Sequence, residues 1–286
     1  MRARHFYSLI VFTTFLMGSS FAVVKLGLAY ASPLLLASFR FILAGIIMGV
    51  VVAFFKQPLP KTSRQWLQIG CIGALQTAGV MGCIFLSLRT ITASESSILT
   101  FMNPLLVVIF GTLFFAQRYY TYQWLGVICG FIGVYITMGT TLQLDVGIWI
   151  GFCSAVFWAF ATLLTKRWNI ALNTWVLAAY QMLFGGILLL CASFLLEQPF
   201  FIINGASISI LLWLSIFSSI VQFALWFYLL QQGDAGKTSS FLFLAPFFGV
   251  LSGALLFHDP LSAKLLLGGI LIILGIYLVN RPRKVA

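Results

Sequence analysis

Ten apolar runs, each long enough to cross the hydrocarbon core of a bilayer, take up almost the whole chain. They cover 6–29, 33–55, 66–88, 92–115, 122–140, 147–165, 174–196, 207–230, 237–257 and 262–280. A membrane-crossing helix needs about 20 such residues. The breaks between runs hold Gly, Pro or charge and are no longer than ten residues, so there is no room for a soluble domain. The runs lack the alternation of polar and apolar residues that a membrane β-barrel requires. The expected fold is therefore all-α and integral to the membrane, with ten transmembrane helices.

Composition excludes the alternatives. Of 286 residues, 62% are apolar and 7% charged, against about 25% charged in ordinary soluble proteins. Mean hydropathy is +1.09. So few charges cannot clothe a soluble domain of this size. A soluble enzyme, a disordered chain and a disulfide-stapled secreted domain are all ruled out. Arg2 and Arg4 followed by an apolar run that ends in Ala29, Tyr30 and Ala31 imitate a signal peptide. The run is longer than the 7–15 residues of such a segment, and Lys25 interrupts it. It reads as a retained first helix. Cys71, Cys83, Cys129, Cys153 and Cys191 lie inside apolar runs, odd in number and unpaired in spacing. They read as small buried hydrophobes.

The net charge of +11 is not a nucleic-acid signature. Lys and Arg stand mostly singly between apolar runs, with no basic face that tracks phosphates. With the N-terminus inside, 12 of the 16 fall on inner segments and four (Lys25, Arg40, Arg89, Lys264) on outer ones. By the positive-inside rule both termini are expected in the cytoplasm.

An internal repeat comes next. Over the 43 positions 93–135, a shift of 142 residues gives 13 identities, about 30%. Pro104 meets Pro246, Gly111 meets Gly253, Gly126 meets Gly268, Gly133 meets Gly275, and Tyr135 meets Tyr277. Biased composition alone rarely matches Pro and Gly positions. Two repeats are expected, 1–140 and 147–280, each with five helices. An odd number turns the second half upside down. Such inverted repeats are the arrangement of secondary transporters, with a substrate site near the bilayer midplane.

The residues also carry a family resemblance. The first run reads MGSSFAVVK over 17–25, and the second has Ser38, Phe39, Arg40 and Phe41. The hairpin between the third and fourth runs reads FLSLRTITAS over 85–94, followed by Leu99 to Pro104. The fifth run has Trp124, Leu125, Gly126 and then Gly133, Val134, Tyr135. Across nearly its full length the chain resembles the EamA-type branch of the drug/metabolite transporter superfamily. The resemblance implies a plasma-membrane carrier, often an exporter of amino acids or other small metabolites. It also implies a central cavity walled by spans 1, 3, 4, 6, 8 and 9. The family often has Glu just after the fourth span. Gln117 stands there instead, and Asp259 holds the matching place after the ninth.

Polar residues inside the spans are candidates for function, because each is costly in a bilayer. The expected cavity set is Ser19, Ser20, Gln76, Thr77, Ser97, Thr100, Asn103, Thr162, Gln222 and Ser239. Helix-to-helix hydrogen bonding is the competing account for any single Ser or Thr. Trp158 and Trp226 sit mid-span, away from the interfacial belt; they either wall an apolar pocket or simply pack. Lys25 either snorkels to the outer headgroups or contacts an anion in the cavity mouth. Arg40 lies seven residues into its run, about 10 Å deep by helix rise. It is read as half of a structural ion pair with Glu95, in preference to a substrate contact. Glu95 opens the fourth span, where the helix dipole favours a carboxylate. Pro104 and Pro246, at matched depth, are candidate hinges.

No phosphate-binding loop, metal-ligand cluster or catalytic triad occurs. No cofactor, metal, ATP or nucleic acid is therefore implied. The partners are a small-molecule substrate and the lipid bilayer. The chain reads as a secondary transporter, in the export direction by resemblance, and not as an enzyme. The rival classes are a structural or assembly membrane subunit and an integral-membrane enzyme. Of five acidic residues only Glu95 is near the embedded region, beside Lys25, Arg40 and Arg89. Nearby cations would keep it ionised, so coupling through a protonating buried carboxylate is not expected.

Overall fold

The computed structural model describes residues 3–138, 145–168, 173–232, 241–259 and 261–280. Ser239 and Lys237 lie outside these. The described residues are helical almost throughout. The elements are α1 (Ala3–Gly27), α2 (Pro33–Phe54), α3 (Ser63–Ile72), α4 (Val80–Ser87), α5 (Ala93–Phe101), α6 (Asn103–Phe115), α7 (Thr121–Met138), α8 (Val146–Trp168), α9 (Thr174–Leu196), α10 (Gly205–Ser215), α11 (Gln222–Gln232), α12 (Leu244–Phe257) and α13 (Ala263–Asn280). Wide π-type turns, Gly73–Gly79 and Ile216–Val221, join α3 to α4 and α10 to α11. Seven helical stretches are long and apolar enough to cross a membrane, and α12 and α13 are shorter apolar helices. The only bridge outside helices among the described residues pairs Ala31 with Phe201.

Helix starts are set by local chemistry. Thr62 with Gln65, and Thr92 with Glu95, form capping boxes in which each member satisfies an orphan backbone N–H of the first turn. Asn204 and Ser207 do the same for α10. The start of α2 is capped from elsewhere. Glu197, at the foot of α9, accepts from the backbone N–H groups of Leu34 (3.2 Å) and Leu35 (3.0 Å) and from Ser193 Oγ (2.6 Å). The carboxylate meets the positive end of the α2 dipole and ties α2 to α9. Glu197→Ala is expected to cost about 1–3 kcal/mol, because two N–H groups lose a charged acceptor. Thermal unfolding in detergent measures this, and Glu197→Gln, which keeps an acceptor oxygen, should lose less.

Between helices in a bilayer there is no hydrophobic driving force, so close backbone approach carries much of the packing. Gly126 faces Gly275 and Gly133 faces Gly268, which makes α7 and α13 antiparallel. Between those contacts Cys129 Sγ lies 3.5 Å from Leu271 O, a residue 142 positions away. Similarly Gly45 meets Leu183 and Gly186 meets Ile42, so α2 and α9 also run antiparallel.

Several local features recur at the same spacing. The wide turns end at Gly79 and Val221. Ala116 and His258 both take left-handed backbone, with φ of 52° and 55°, at the ends of α6 and α12. Behind them Gln117 N–H donates to Gly111 O (2.9 Å) and Asp259 N–H to Gly253 O (3.4 Å).

The two prolines named as candidate hinges both sit near the start of a helix. The helix is interrupted at Met102, and Pro104 is the second residue of α6. Proline lacks the N–H that would bond the carbonyl four residues back; that carbonyl, Thr100 O, takes Asn103 Nδ2 at 3.5 Å instead. Pro246 falls in the first turn of α12, just after the 3₁₀ turn Phe241–Phe243.

Candidate functional site

A cavity of about 630 Å³ lies between α1, α2, the α3–α4 wide turn, α5, α8, α9 and α11. That is within the usual range for small-molecule sites, about 300–1,000 Å³. Helical spacing builds its walls. From α8, Trp158, Thr162 and Lys166 follow at intervals of four and face inward; Ser218 in the second wide turn and Gln222 and Trp226 of α11 do the same. Met17, Phe21 and Val24 form the α1 stripe, with Ser20 beside them. The aromatic wall is continuous, with Phe21 to Phe101 centroids at 5.8 Å and Phe101 to Trp158 at 5.7 Å.

Among the described residues the cavity is exposed toward one end and buried toward the other. Thr162 and Lys166, at the α8 C-terminal end, are exposed, whereas Arg40 and Thr100 at the other end are buried. Several contacts close that far end. Lys25 Nζ donates to Ile91 O at 3.0 Å and lies over the Phe257 ring. Ser94 Oγ donates to Asp259 Oδ2 at 3.0 Å. Gly18 of α1 approaches Gly249 of α12, which in turn packs on Ser97 of α5. Backbone bonds from Ser32 N–H to Phe200 O (3.0 Å) and from Ile202 N–H to Tyr30 O (2.8 Å) join the loops above.

The structure brings Ser20, Gln76, Thr100, Trp158, Thr162, Gln222 and Trp226 together around this cavity. Asn103 and Pro104 line a side chamber of about 350 Å³ that shares Trp158, Thr162 and Lys166 with it. Four further expected members reach neither chamber. Ser19 Oγ donates to its own helix at Phe15 O (2.7 Å). Thr77 is buried against Gly185. Ser97 Oγ donates to Ser94 O (2.9 Å) beside Gly249. Lys25 is engaged at the closed end. In each case a backbone carbonyl or a glycine gap absorbs the side chain.

The expected ion pair needs correction. Glu95 Oε2 accepts from Thr92 N–H and Thr92 Oγ1, both at 2.9 Å, and so stays on its own helix start. Arg40 turns the other way, to Ser218 and Ser219, and lines the cavity. The capping box offers Glu95 a partner one turn away, at lower conformational cost than reaching across to α2. Thr165, Lys166, Thr174, Gln181 and Ser218 also line the cavity and were not expected. The i, i+4, i+8 stripes 158–162–166 and 218–222–226 were the signal that could have found two of them.

The EamA-like transporter family model matches the chain twice, over residues 6–139 and 145–281. An uncharacterized transporter of Bacillus subtilis, YvbV, is 28% identical over 96% of this chain and 92% of its own. A protein of Salmonella typhimurium named "Probable amino-acid metabolite efflux pump" is 25% identical over 91% of this chain and 90% of its own. A solved crystal structure superposes with a TM-score of 0.67 at 21% identity, covering 95% of this chain and 96% of that one, and shares the fold.

Proposed function

The chain belongs to the EamA-like transporter family, and from that premise we propose that it is a secondary transporter exporting small organic metabolites, such as amino acids, across the plasma membrane by alternating access. The observation that carries this is the cavity, polar and aromatic, open at one end and latched at the other. An enzyme would need convergent acid, base or metal ligands, and a structural subunit has no use for a one-sided cavity.

Two inverted five-helix repeats, 1–140 and 147–280, make ten spans on this reading. The double family match supports them. The antiparallel run of α7 against α13 does so too. Helices related by an axis along the membrane normal run parallel, whereas an axis in the membrane plane makes them antiparallel. With both termini cytoplasmic, the open end at Lys166 faces the cytoplasm and the Asp259 latch faces outside. A reporter that is active only in the cytoplasm is expected to work when fused after Ala286. Activity only of an external reporter would overturn the orientation.

Saturable counterflow in proteoliposomes, screened over amino acids and related metabolites, tests the transport reading; no counterflow with any of them, from folded protein, would sink it. In the same vesicles an imposed pH gradient is expected to change flux little, and Glu95→Gln to retain most of it. The capping role of Glu95 and the absence of Asp or Glu among the described cavity-lining residues motivate that expectation. Strong acceleration by a pH gradient, abolished in Glu95→Gln, would show that Glu95 carries the proton.

A further inference from the structure

We infer that the cavity is an anion site. Its substrate is a small organic monocarboxylate, with the carboxylate on the Arg40 guanidinium and the apolar body against Phe101, Trp158 and Trp226. The word substrate rests on the transport reading; the binding site does not.

Arg40 is 4% exposed and sits about 10 Å into its span by helix rise. Its Nε donates to Ser219 Oγ at 3.0 Å, and its Nη2 to Ser218 O at 2.8 Å and Ser218 Oγ at 3.1 Å. All three partners are neutral. Ser219 Oγ donates to Leu214 O at 3.1 Å, which leaves its lone pairs facing Arg40. Both serines come from the wide turn Ile216–Val221; such bulges gather at functional sites. Among the described residues no carboxylate lies within ion-pair distance of Arg40, and its Nη1 makes no hydrogen bond. A guanidinium stripped of water and held only by neutral partners, the serine dipoles and the Phe41 ring 4.8 Å away, is costly. An arriving anion relieves that cost, and the two free N–H groups of Nη1 give it charge-assisted hydrogen bonds.

The rest of the lining selects the sign and number of charges. Its described charged members are Arg40 and Lys166, both cations, with Lys166 at the open end. Organic cations meet repulsion at both places. One buried cation matches one negative charge, and a phosphate dianion would leave its second charge unpaired in low dielectric. The aromatic wall suits an apolar body, while Gln76, Gln181 and Gln222 can hydrogen-bond its polar substituents.

The test uses the purified full-length chain and a panel of aliphatic and aryl monocarboxylates, from acetate to phenylacetate. Each is compared with the amide and the amine of the same skeleton in equilibrium binding. At least one carboxylate is expected to bind saturably, tenfold or more tighter than its amide and amine, as charged hydrogen bonds warrant. Arg40→Gln should bring the carboxylate down to the level of the amide, and Arg40→Lys should keep the anion preference. The wild-type comparison needs no variant. Equal binding of amide and carboxylate, preference for the amine, or no saturable carboxylate in the panel would each overturn the inference. Carboxylate binding without counterflow would remove the transport reading and leave the anion site standing. Counterflow without carboxylate preference would do the reverse.

Discussion

Gly133→Leu is expected to abolish recovery of folded protein, lowering the monodisperse yield in detergent at least tenfold. A Cβ at Gly133 would lie 2.6 Å from Gly268 O and 2.9 Å from Ile272 N, both backbone atoms of α13. A flexible side chain can rotate away from an intruder, but a helix backbone moves only as a whole. Overpacking a core costs about 1–3 kcal/mol where neighbours can adjust, and here they cannot. Separating α7 from α13 also strips the matching contact of Gly126 with Gly275, two turns away on the same face, so one substitution breaks both. In a bilayer the parted helices gain nothing hydrophobic by staying together, because lipid tails are as apolar as leucine. Gly49→Leu is the control. No heavy atom lies within 4 Å of a Cβ placed at Gly49, and leucine is the better helix former. It should express as the parent does. Equal yields from Gly133→Leu and Gly49→Leu would show that the α7–α13 crossing is not held by close approach.

Those glycines were visible in the sequence as matched positions, and their matching is what made the repeat legible. Seven of the ten expected runs coincide with helical stretches long and apolar enough to cross a membrane; they were legible because about 20 apolar residues in a row leave few alternatives. The interruptions were not. Gly73–Gly79 and Ile216–Val221 hold polar residues, Gln76, Thr77, Ser218 and Ser219, but they lie inside apolar runs, and hydropathy does not distinguish a wide turn from an α-turn. The cavity was half legible. Ser20, Gln76, Thr162 and Gln222 stood out because a polar group in a bilayer needs a reason. Ser19, Thr77 and Ser97 stood out equally, yet they lie on helix faces turned away from the cavity; a bond to the helix's own carbonyl does not separate the groups, since Ser20 and Thr162 make one as Ser19 does. Sequence cannot tell those two fates apart, since they depend on which face of the helix meets a neighbour. The Arg40 reading failed for a related cause. Opposite charges suggest each other, but Glu95 had a nearer claim in Thr92, and the serines that hold Arg40 come from a turn 178 residues downstream.

The latch at the Asp259 end, which faces outside on the proposed orientation, carries the other large effect. Gly249→Val is expected to shift the protein toward a state open at the Asp259 end. A Cβ at Gly249 would fall 2.5 Å from Ser97 Cβ, so the added bulk penalises only the arrangement in which α12 lies on α5. A penalty of about 2 kcal/mol, ordinary for overpacking, moves a two-state equilibrium roughly thirtyfold. The reporter is Ser20→Cys, placed in the cavity wall, in a background with the five native cysteines replaced. A membrane-impermeant maleimide added outside intact cells should label it poorly in the parent and several times faster with Gly249→Val. Inverted vesicles should show the opposite ranking. Asp259→Ala reaches the same state without added bulk, by removing the acceptor of the Ser94 hydroxyl and backbone N–H, and guards against a Gly249→Val chain that does not fold. If both variants fold and external labelling of Ser20→Cys stays at the parental rate, then α1, α5 and α12 do not form the outer closure, and access to the cavity is governed elsewhere in the bundle.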